Sequence, residues 1–267
     1  MTFVTSSNIG SAISGTLWDM TQRLRVTTFI GAGGKTTCLR SLTHEIRAAG
    51  QQVVATTTTK VFPEDSMIPW RNYDSPPHQK GAWFWYASVE GESGKWIGPS
   101  VIAVDEAILA QPLDEASLRN WVIEGDGARG LKLKCWEFYE PQIPRNTECA
   151  VLVVDRNLWG KVLQVEDIHR PHACRDLLGQ VLKAESAWSY FLKSPVFDPQ
   201  YANMCWVILL NSVNPVNPVY TAGLLNDLRD RWSEIQPSLV AAEKRPRHLR
   251  LAAGDAKEGD LLWFDLW

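Results

Sequence analysis

The segment Gly31-Ala32-Gly33-Gly34-Lys35-Thr36-Thr37 follows an apolar run at 26–30 and precedes a stretch in which apolar residues recur at helical spacing. A strand, a glycine-rich turn, a Lys-Thr pair and a helix together form the arrangement that binds nucleotide phosphates. Glycines let backbone N–H groups surround the anion, and the helix N-terminus adds the positive end of its dipole. This segment therefore predicts a ligand, a metal and a fold together.

Each residue of the segment has an expected role. The backbone of Gly31, Ala32, Gly33, Gly34 and Thr37 is expected to enclose the phosphates. Lys35 would contact the terminal phosphates, and the Thr36 hydroxyl would bind Mg²⁺. Phe29 stands where the full pattern has its first glycine. The loop is therefore shorter, and it resembles the Gly-Thr-x-Gly-Lys-Thr loop of the Mur ligases, which binds ATP.

The rest of the chain predicts strands that alternate with helices. Strands are expected at 26–30, 52–56, 120–124, 150–154, 206–210 and 248–252, and helices at 8–23, 36–49, 172–182 and 221–235. This alternation is typical of an α/β fold with a mostly parallel sheet and helices on both faces. We expect one three-layer domain of phosphate-loop (P-loop) NTPase type over residues 1–267, with an elaboration at about 62–120.

Polar residues follow several of the predicted strands, and in a parallel sheet those strand ends meet at the ligand-binding edge. Glu124 and Asp126 follow the strand at 120–124, and either carboxylate could bind Mg²⁺ or orient a nucleophile. Arg129 and Lys134 could hold a second substrate or the transferring phosphoryl group. The competing interpretation is an ordinary Asp-Gly turn beside a charged surface.

Two further polar segments are candidates for ligand contacts. Thr58 and Lys60 lie at the end of a run of threonines that follows the strand at 52–56. Two explanations of this run are about equally good: the preference of β-branched residues for strands, and a contact with substrate. His169 and Arg170 precede Pro171. A proline between His169 and His172 opposes a helix that would place both histidines on one face, so a metal site shared by them is not favoured. An anion contact from His169 and Arg170, or a helix start at Pro171, is favoured instead.

The composition excludes several classes of protein. A net charge of −3 gives no indication of nucleic-acid binding, and no apolar stretch is long enough to predict a membrane span. The five cysteines are scattered and form no CxxC pair. This pattern favours reduced thiols in a cytoplasmic protein, without a zinc site or a disulfide framework.

Several of these segments, in their order along the chain, resemble the YqeC family. The matching segments are 31–37, 56–63, 94–98, 124–130 with Lys134, 140–144 and 169–171. This resemblance implies an accessory protein of selenium-dependent molybdenum hydroxylases with a P-loop NTPase-like fold. The resemblance implies a cytoplasmic role in maturing or inserting the molybdenum cofactor, with the hydroxylase or its pterin cofactor as partner.

The chain departs from the family pattern at three places. Gly125 replaces the usual alanine, and Tyr139 replaces a histidine before Glu-Pro. Asn211-Ser212-Val213-Asn214 lacks the lysine and the carboxylate of the guanine-reading Asn-Lys-x-Asp motif. The expected ligand is therefore Mg²⁺ with ATP or another nucleoside triphosphate. Alternative functions are a small-molecule kinase, a Mur-like ATP-dependent ligase, or a non-catalytic carrier or chaperone of the molybdenum cofactor.

Overall fold

The computed structural model describes residues 12–71, 81–111, 118–212, 217–241 and 246–267. Within these ranges the strands are β1 (Ile13–Gly15), β2 (Val26–Gly31), β3 (Val53–Thr57), β4 (Lys60–Val61), β5 (Ile68–Arg71), β6 (Ala82–Tyr86), β7 (Ser88–Val89), β8 (Trp96–Ile97), β9 (Asn120–Glu124), β10 (Leu133–Lys134), β11 (Cys149–Asp155), β12 (Ile168–His169), β13 (Cys205–Asn211), β14 (His248–Asp255) and β15 (Asp260–Asp265). The α-helices are α1 (Leu17–Met20), α2 (Lys35–Ala48), α3 (Val101–Leu109), α4 (Ala184–Phe191) and α5 (Pro218–Ala241). Short 3₁₀ helices occupy Arg156–Leu158, Val165–Asp167, Pro171–Leu177, Pro195–Phe197 and Pro199–Tyr201.

The main sheet has ten strands in the order β1-β15-β14-β13-β11-β2-β9-β3-β6-β5. From β14 to β5 all neighbouring strands are parallel, whereas β15 and β1 pair antiparallel at one edge. The prediction of an α/β fold with a mostly parallel sheet is confirmed. The β2 strand lies between β11 and β9 near the middle of the sheet, so the glycine-rich turn emerges from its interior.

Neighbouring residues of a strand point to opposite faces of the sheet. Because both faces of the central strands are apolar, helices cover both of them. On one face Phe29 of β2 packs in a core cluster with Leu39 of α2. On the opposite face Ile30 belongs to a cluster with Trp188 of α4 and Leu228 of α5. The α3 helix adds its Val104 to a third cluster. The apolar runs of the sequence therefore become strands that are buried on both faces, as parallel sheets require.

The carboxyl ends of five strands lie side by side in this sheet. The β3, β9, β2, β11 and β13 strands are consecutive neighbours, and all five run in the same direction. Their last residues are Thr57, Glu124, Gly31, Asp155 and Asn211. The polar residues that follow the predicted strands therefore share one edge of the sheet.

Two of the predicted helices are wrong. In the described part of the segment predicted as a helix over 8–23, residues 13–15 form a strand, and only Leu17–Met20 is helical. The prediction at 172–182 corresponds to the 3₁₀ helix Pro171–Leu177, in which Cys174 has a non-helical φ of −142°. The residues after Leu177 do not continue as a helix, and Gly179 has a φ of +78°.

Part of the segment at about 62–120 contributes to the main sheet. The β6 strand pairs with β3, and β5 extends the sheet beyond β6. The β4, β7 and β8 strands form a small antiparallel sheet of their own. Residues 72–80 and 112–117 of this segment lie outside the described residues. No helix among the described residues combines the length and apolar character that a bilayer crossing needs.

An ion pair between the last two strands predicts a pH dependence of stability. Asp265 accepts hydrogen bonds from Arg250 (Nε–Oδ1 2.6 Å) and from His248 (3.2 Å). Burial raises the pKa of Asp265, but these hydrogen bonds and the Arg250 charge outweigh it and hold the pKa far below the usual range. A carboxyl whose pKa is depressed in the folded state stabilises the fold above its unfolded pKa of about 3.9. That contribution is lost as the pH falls toward the folded pKa.

We therefore expect Asp265→Asn to lower the free energy of unfolding at pH 7. The difference from the wild type should shrink as the pH is lowered below about 4. Urea denaturation at pH 7 and at pH 3 measures both values. Asp260→Asn, on an exposed residue of the same strand, is the control. Equal differences at the two pH values would contradict the assignment.

Candidate functional site

The turn between β2 and α2 has a shape that only glycine tolerates at three positions. Gly31, Gly33 and Gly34 have φ angles of +93°, +89° and +110°. A Cβ atom on Gly31 would lie 2.4 Å from the Val153 carbonyl oxygen, and one on Gly33 would lie 2.3 Å from the Asp155 nitrogen. The glycines therefore serve both backbone conformation and close approach to β11.

Two neighbouring strands hold the turn in place. The Ala32 N–H donates to the Val153 carbonyl of β11 at 2.9 Å. The Asn211 side chain at the end of β13 donates to the Gly33 carbonyl at 2.9 Å and accepts from the Ala256 N–H at 3.1 Å. The sequence placed Asn211 at the end of a predicted strand, in a segment that lacks the rest of the guanine-reading motif. In the structure its amide fixes the loop.

The Lys35 ammonium is buried directly beneath the turn. Its Nζ donates to the Gly31 carbonyl at 2.6 Å and lies 3.3 Å from Asp126 Oδ1 and 3.9 Å from Glu124 Oε1. The lysine side chain is only 5% exposed. A buried cation of this kind needs paired anions, and the two carboxylates supply them.

A hydroxyl and a carboxylate meet beside this lysine. Thr36, in the first turn of α2, donates its hydroxyl to Glu124 Oε2 at 2.9 Å. Glu124 ends β9, the direct neighbour of β2. Burial raises the pKa of the Glu124 carboxyl, although the Lys35 charge and the Thr36 hydrogen bond act in the opposite direction. These oxygens are of the hard type that Mg²⁺ prefers.

The same part of the site contains few other metal ligands. Among the described residues, no group of three or more His, Cys, Asp or Glu side chains is placed to hold a metal ion. Mg²⁺ is commonly held by one or two carboxylates together with water and substrate phosphates. The Thr36 and Glu124 pair fits that kind of site, in which the ligand supplies part of the coordination.

Asp126 occupies a different position from Glu124. Both of its oxygens accept from the Gly31 N–H, at 3.1 and 3.0 Å, and Oδ2 accepts from the Trp136 indole at 2.8 Å. The Lys35 and Lys134 ammonium groups lie 3.3 and 3.6 Å from the carboxylate. Protein donors therefore surround Asp126. Of the two acids that the sequence offered, Glu124 contacts the Thr36 hydroxyl and Asp126 supports the loop.

Lys134 lies behind Asp126 and is fully buried. Its ammonium donates to the Gly127 carbonyl at 2.6 Å and to Glu140 Oε1 at 3.0 Å. Glu140 Oε2 in turn lies 2.9 Å from Arg170 Nε. Burial raises the pKa of Glu140, but the Lys134 and Arg170 contacts outweigh it, so the pKa is lowered. Alternating charges therefore run from Lys35 to Arg170.

His169 and Arg129 lie near this row of charges. His169 is on β12, which pairs with Lys134 on β10, and its carbonyl accepts from the Cys135 N–H at 3.0 Å. Burial lowers the pKa of His169, and so do the nearby Lys134 and Arg170 charges. Arg129 is exposed and has a φ of +52°, which is uncommon for a residue with a side chain.

Thr58 and Lys60 have different surroundings. The Thr58 N–H donates to the Glu124 carbonyl at 3.0 Å, and its hydroxyl donates to the Gln142 carbonyl at 3.0 Å. Thr58 thus braces the end of β9. Lys60 is exposed on the small sheet and pairs with Glu90.

The expectation of five reduced thiols is wrong at two positions. Cys135 and Cys174 form a disulfide with their Cα atoms 6.1 Å apart, whereas Cys38, Cys149 and Cys205 are free. The pair is 39 residues apart in sequence. Cys135 follows β10, and Cys174 lies in the 3₁₀ helix after β12, so the β10–β12 pairing brings the two together. Local spacing rules cannot reveal such an approach.

Sequence reasoning also missed Trp136, whose indole donates to the buried Asp126, and it offered Glu140 only as part of a family motif. Nothing in the local pattern marks Trp136, because the contact depends on how the chain returns after Asp126. The available signal for Glu140 was its place in the segment 140–144 that resembles the family.

Comparison with known proteins adds to this geometry. The profile of one family, described as "YqeC protein", matches residues 27–172. The chain belongs to the YqeC family. The matched range includes the glycine-rich turn, both acids and the Lys134–Arg170 row, whereas Asn211, which fixes the loop, lies outside it.

A curated relative extends this comparison. "Uncharacterized protein YqeC" of Escherichia coli (strain K12) is 31% identical over 169 residues, which cover 59% of this YqeC-family chain and 62% of the relative. The match thus spans less than two thirds of the relative's length. No solved structure matches the chain.

Proposed function

We propose that the chain binds a nucleoside triphosphate with Mg²⁺ at the turn 31–37, in the manner of a P-loop NTPase. The observation that carries the proposal is the Thr36 hydroxyl 2.9 Å from the Glu124 carboxylate, directly beside the buried Lys35 ammonium. A phosphate-binding turn, a cation for the terminal phosphates and a pair of oxygens for Mg²⁺ are the three parts such a site needs.

The residues divide the work between phosphate, metal and loop. Backbone N–H groups of the turn and the N-terminus of α2 would bind the phosphates. Lys35 would exchange its contact with the Gly31 carbonyl for the β- and γ-phosphates. Thr36 and Glu124 would hold Mg²⁺, which neutralises phosphate charge when bound. Asp126 keeps the Gly31 N–H and Lys35 in place from behind.

The proposed nucleotide is ATP. The residues after β13 lack the lysine and the carboxylate that pair with guanine, and the Asn211 amide is already bonded to the Gly33 carbonyl and the Ala256 N–H. A second substrate would meet the exposed Arg129 rather than Lys134, because Lys134 is fully buried among protein acceptors. The burial of Lys134 favours a supporting role for it.

The biological role that we propose follows from the family. The YqeC resemblance implies an accessory protein in the maturation or insertion of the cofactor of selenium-dependent molybdenum hydroxylases. A site for Mg²⁺ and a nucleotide would allow such a protein to use the nucleotide to drive a step of cofactor maturation, or to switch between nucleotide-bound and nucleotide-free states. This role is supported by membership over residues 27–172 and by the position of Lys35, Thr36 and Glu124 inside that range.

Binding measurements on matched variants test the site. We expect the wild type to bind ATP with Mg²⁺ and Lys35→Ala to bind it at least about tenfold more weakly, because a charge-assisted hydrogen bond contributes about 1.5–3 kcal/mol. Isothermal titration with ATP, GTP and CTP gives the affinities. Lys183→Ala is the control, since Lys183 is exposed and pairs with Glu185 away from the candidate site.

Two results would contradict the proposal. One is the absence of binding by any of the three nucleotides. The other is equal affinity of wild type and Lys35→Ala. Circular dichroism of each variant checks that the comparison is made between folded proteins.

A further inference from the structure

The disulfide between Cys135 and Cys174 lies at the wall of an open cavity. The cavity has a volume of about 450 Å³, and its lining includes Cys135, Cys174, Trp136, Glu140 and Tyr190. Cys135 is 3% exposed and Cys174 is 7% exposed. A disulfide on a cavity wall can be approached by a small thiol, whereas one enclosed in a core cannot.

One end of the disulfide is joined to the support of the phosphate loop. Cys135 stands between Lys134 and Trp136 in the chain, and both of these residues contact Asp126, at 3.6 and 2.8 Å. Asp126 accepts from the Gly31 N–H. A displacement of Cys135 would therefore move two of the groups that hold the carboxylate under the loop.

The other end is joined to the same row of charges. Cys174 lies in the 3₁₀ helix Pro171–Leu177, which begins directly after Arg170. Arg170 lies 2.9 Å from Glu140, and Glu140 accepts from Lys134 at 3.0 Å. The disulfide thus closes a ring that runs through two ion pairs and back to the residue next to Cys135. Cleavage of the S–S bond would remove the covalent link between the 3₁₀ helix and β10. The ion pairs, the backbone bonds and the apolar packing of Cys174 and Leu177 would remain to hold the helix.

We propose that Cys135 and Cys174 form a reducible pair, a site of thiol–disulfide exchange whose redox state controls how firmly Asp126 holds the phosphate loop. The reagent class is a small or protein dithiol that reaches the sulfurs through the cavity. The consequence for ligand binding rests on the proposed nucleotide function, whereas the exchange itself and its effect on the loop do not.

The exchange balances without a further reagent. A thiolate of the dithiol attacks Sγ of Cys174, the more exposed residue of the pair, and forms a mixed disulfide while Cys135 leaves as a thiolate and takes up a proton. The second thiol of the reagent then attacks the mixed disulfide and releases Cys174, which is also protonated. Two electrons and two protons pass from the dithiol to the pair, and the reagent leaves as a disulfide.

Reduction should loosen the loop and weaken nucleotide binding. The Gly31 N–H would lose part of its protection from hydrogen exchange, because Asp126 would be held less firmly. We expect the ATP affinity of the reduced protein to be about fivefold lower than that of the oxidised protein, at the lower end of typical coupling between sites.

The experiment uses the wild-type protein after treatment with oxidised glutathione or with dithiothreitol. Denaturing alkylation with N-ethylmaleimide and intact-mass measurement should count three thiols in the first sample and five in the second. Hydrogen exchange of the peptide that contains Gly31 should be faster in the reduced sample, and ATP titration should show the weaker affinity. Cys135→Ser should resemble the reduced wild type, and Cys205→Ser should respond to both reagents as the wild type does.

The outcomes separate this proposal from the nucleotide function. Five thiols after oxidation would overturn it, and so would identical exchange of the loop peptide in the two wild-type samples. Faster exchange in the reduced sample without ATP binding in either sample would support the coupling and contradict the nucleotide function. If Cys135→Ser does not fold, the two wild-type samples still decide the matter.

Discussion

Lys134→Ala is expected to lower the free energy of unfolding by about 3 kcal/mol, because it removes the cation from a buried group of charges. Lys134 is fully buried and lies 3.6 Å from Asp126 and 3.0 Å from Glu140. Removal of one partner of a buried pair leaves the other charge without compensation, at a typical cost of about 3–5 kcal/mol. The lower end applies because Asp126 keeps Lys35 and Glu140 keeps Arg170.

Lys132 provides a matched control two residues away. Its ammonium is half-exposed and pairs with Asp167 at 2.8 Å. Exposed ion pairs contribute about 0–1 kcal/mol, so Lys132→Ala should change stability little. Urea denaturation of both variants and the wild type gives the comparison. Similar midpoints for Lys132→Ala and Lys134→Ala would show that the Lys134 charge is not as isolated from water as its surroundings indicate.

The parts of the fold that the sequence predicted are those with strong local signals. The strand Asn120–Glu124 has the predicted bounds, and the helix predicted over 36–49 begins and ends one residue earlier, at Lys35–Ala48. Both lie next to glycine-rich or polar segments that mark their ends. The wrong helix over 8–23 had apolar residues at helical spacing. Its Ile13 instead pairs with Trp263 of β15, a partner 250 residues away that no local pattern reveals.

The candidate site also has parts that the sequence predicted and parts that it did not. The glycine-rich turn, Lys35 and Thr36 are adjacent in sequence, so their meeting at one helix end was predictable. The choice between Glu124 and Asp126 was not, since both follow the same strand. It depends on Thr36 and on the Gly31 N–H, which contact different acids only once β2 and β9 are paired. The Cys135–Cys174 pair depends on the β10–β12 pairing and was equally out of reach.

Gly33→Ala is expected to disrupt the phosphate loop. Gly33 has a φ of +89°, and a residue with a side chain in left-handed conformation costs about 1–2 kcal/mol. The new Cβ would also lie 2.3 Å from the Asp155 nitrogen and 2.6 Å from its Cα, which belong to the backbone of β11 and cannot yield as a flexible side chain could. Overpacking of this kind adds about 1–3 kcal/mol. We expect a loss of about 3 kcal/mol in the free energy of unfolding, together with loss of ATP binding.

Gly50→Ala separates the cost of the left-handed conformation from the cost of the close contact with β11. Gly50 follows the opposite end of the same helix with a φ of +77°, and a Cβ atom at this position would have open space within 4 Å. It bears the conformational cost alone, so it should lose about 1 kcal/mol and keep its ATP affinity. Urea denaturation and ATP titration of both variants measure these effects. Equal losses of stability would mean that β11 gives way to the new methyl group. Retained ATP affinity in Gly33→Ala would mean that the close contact between the loop and β11 does not shape the binding site, and the proposed phosphate site would then have to lie elsewhere on this sheet edge.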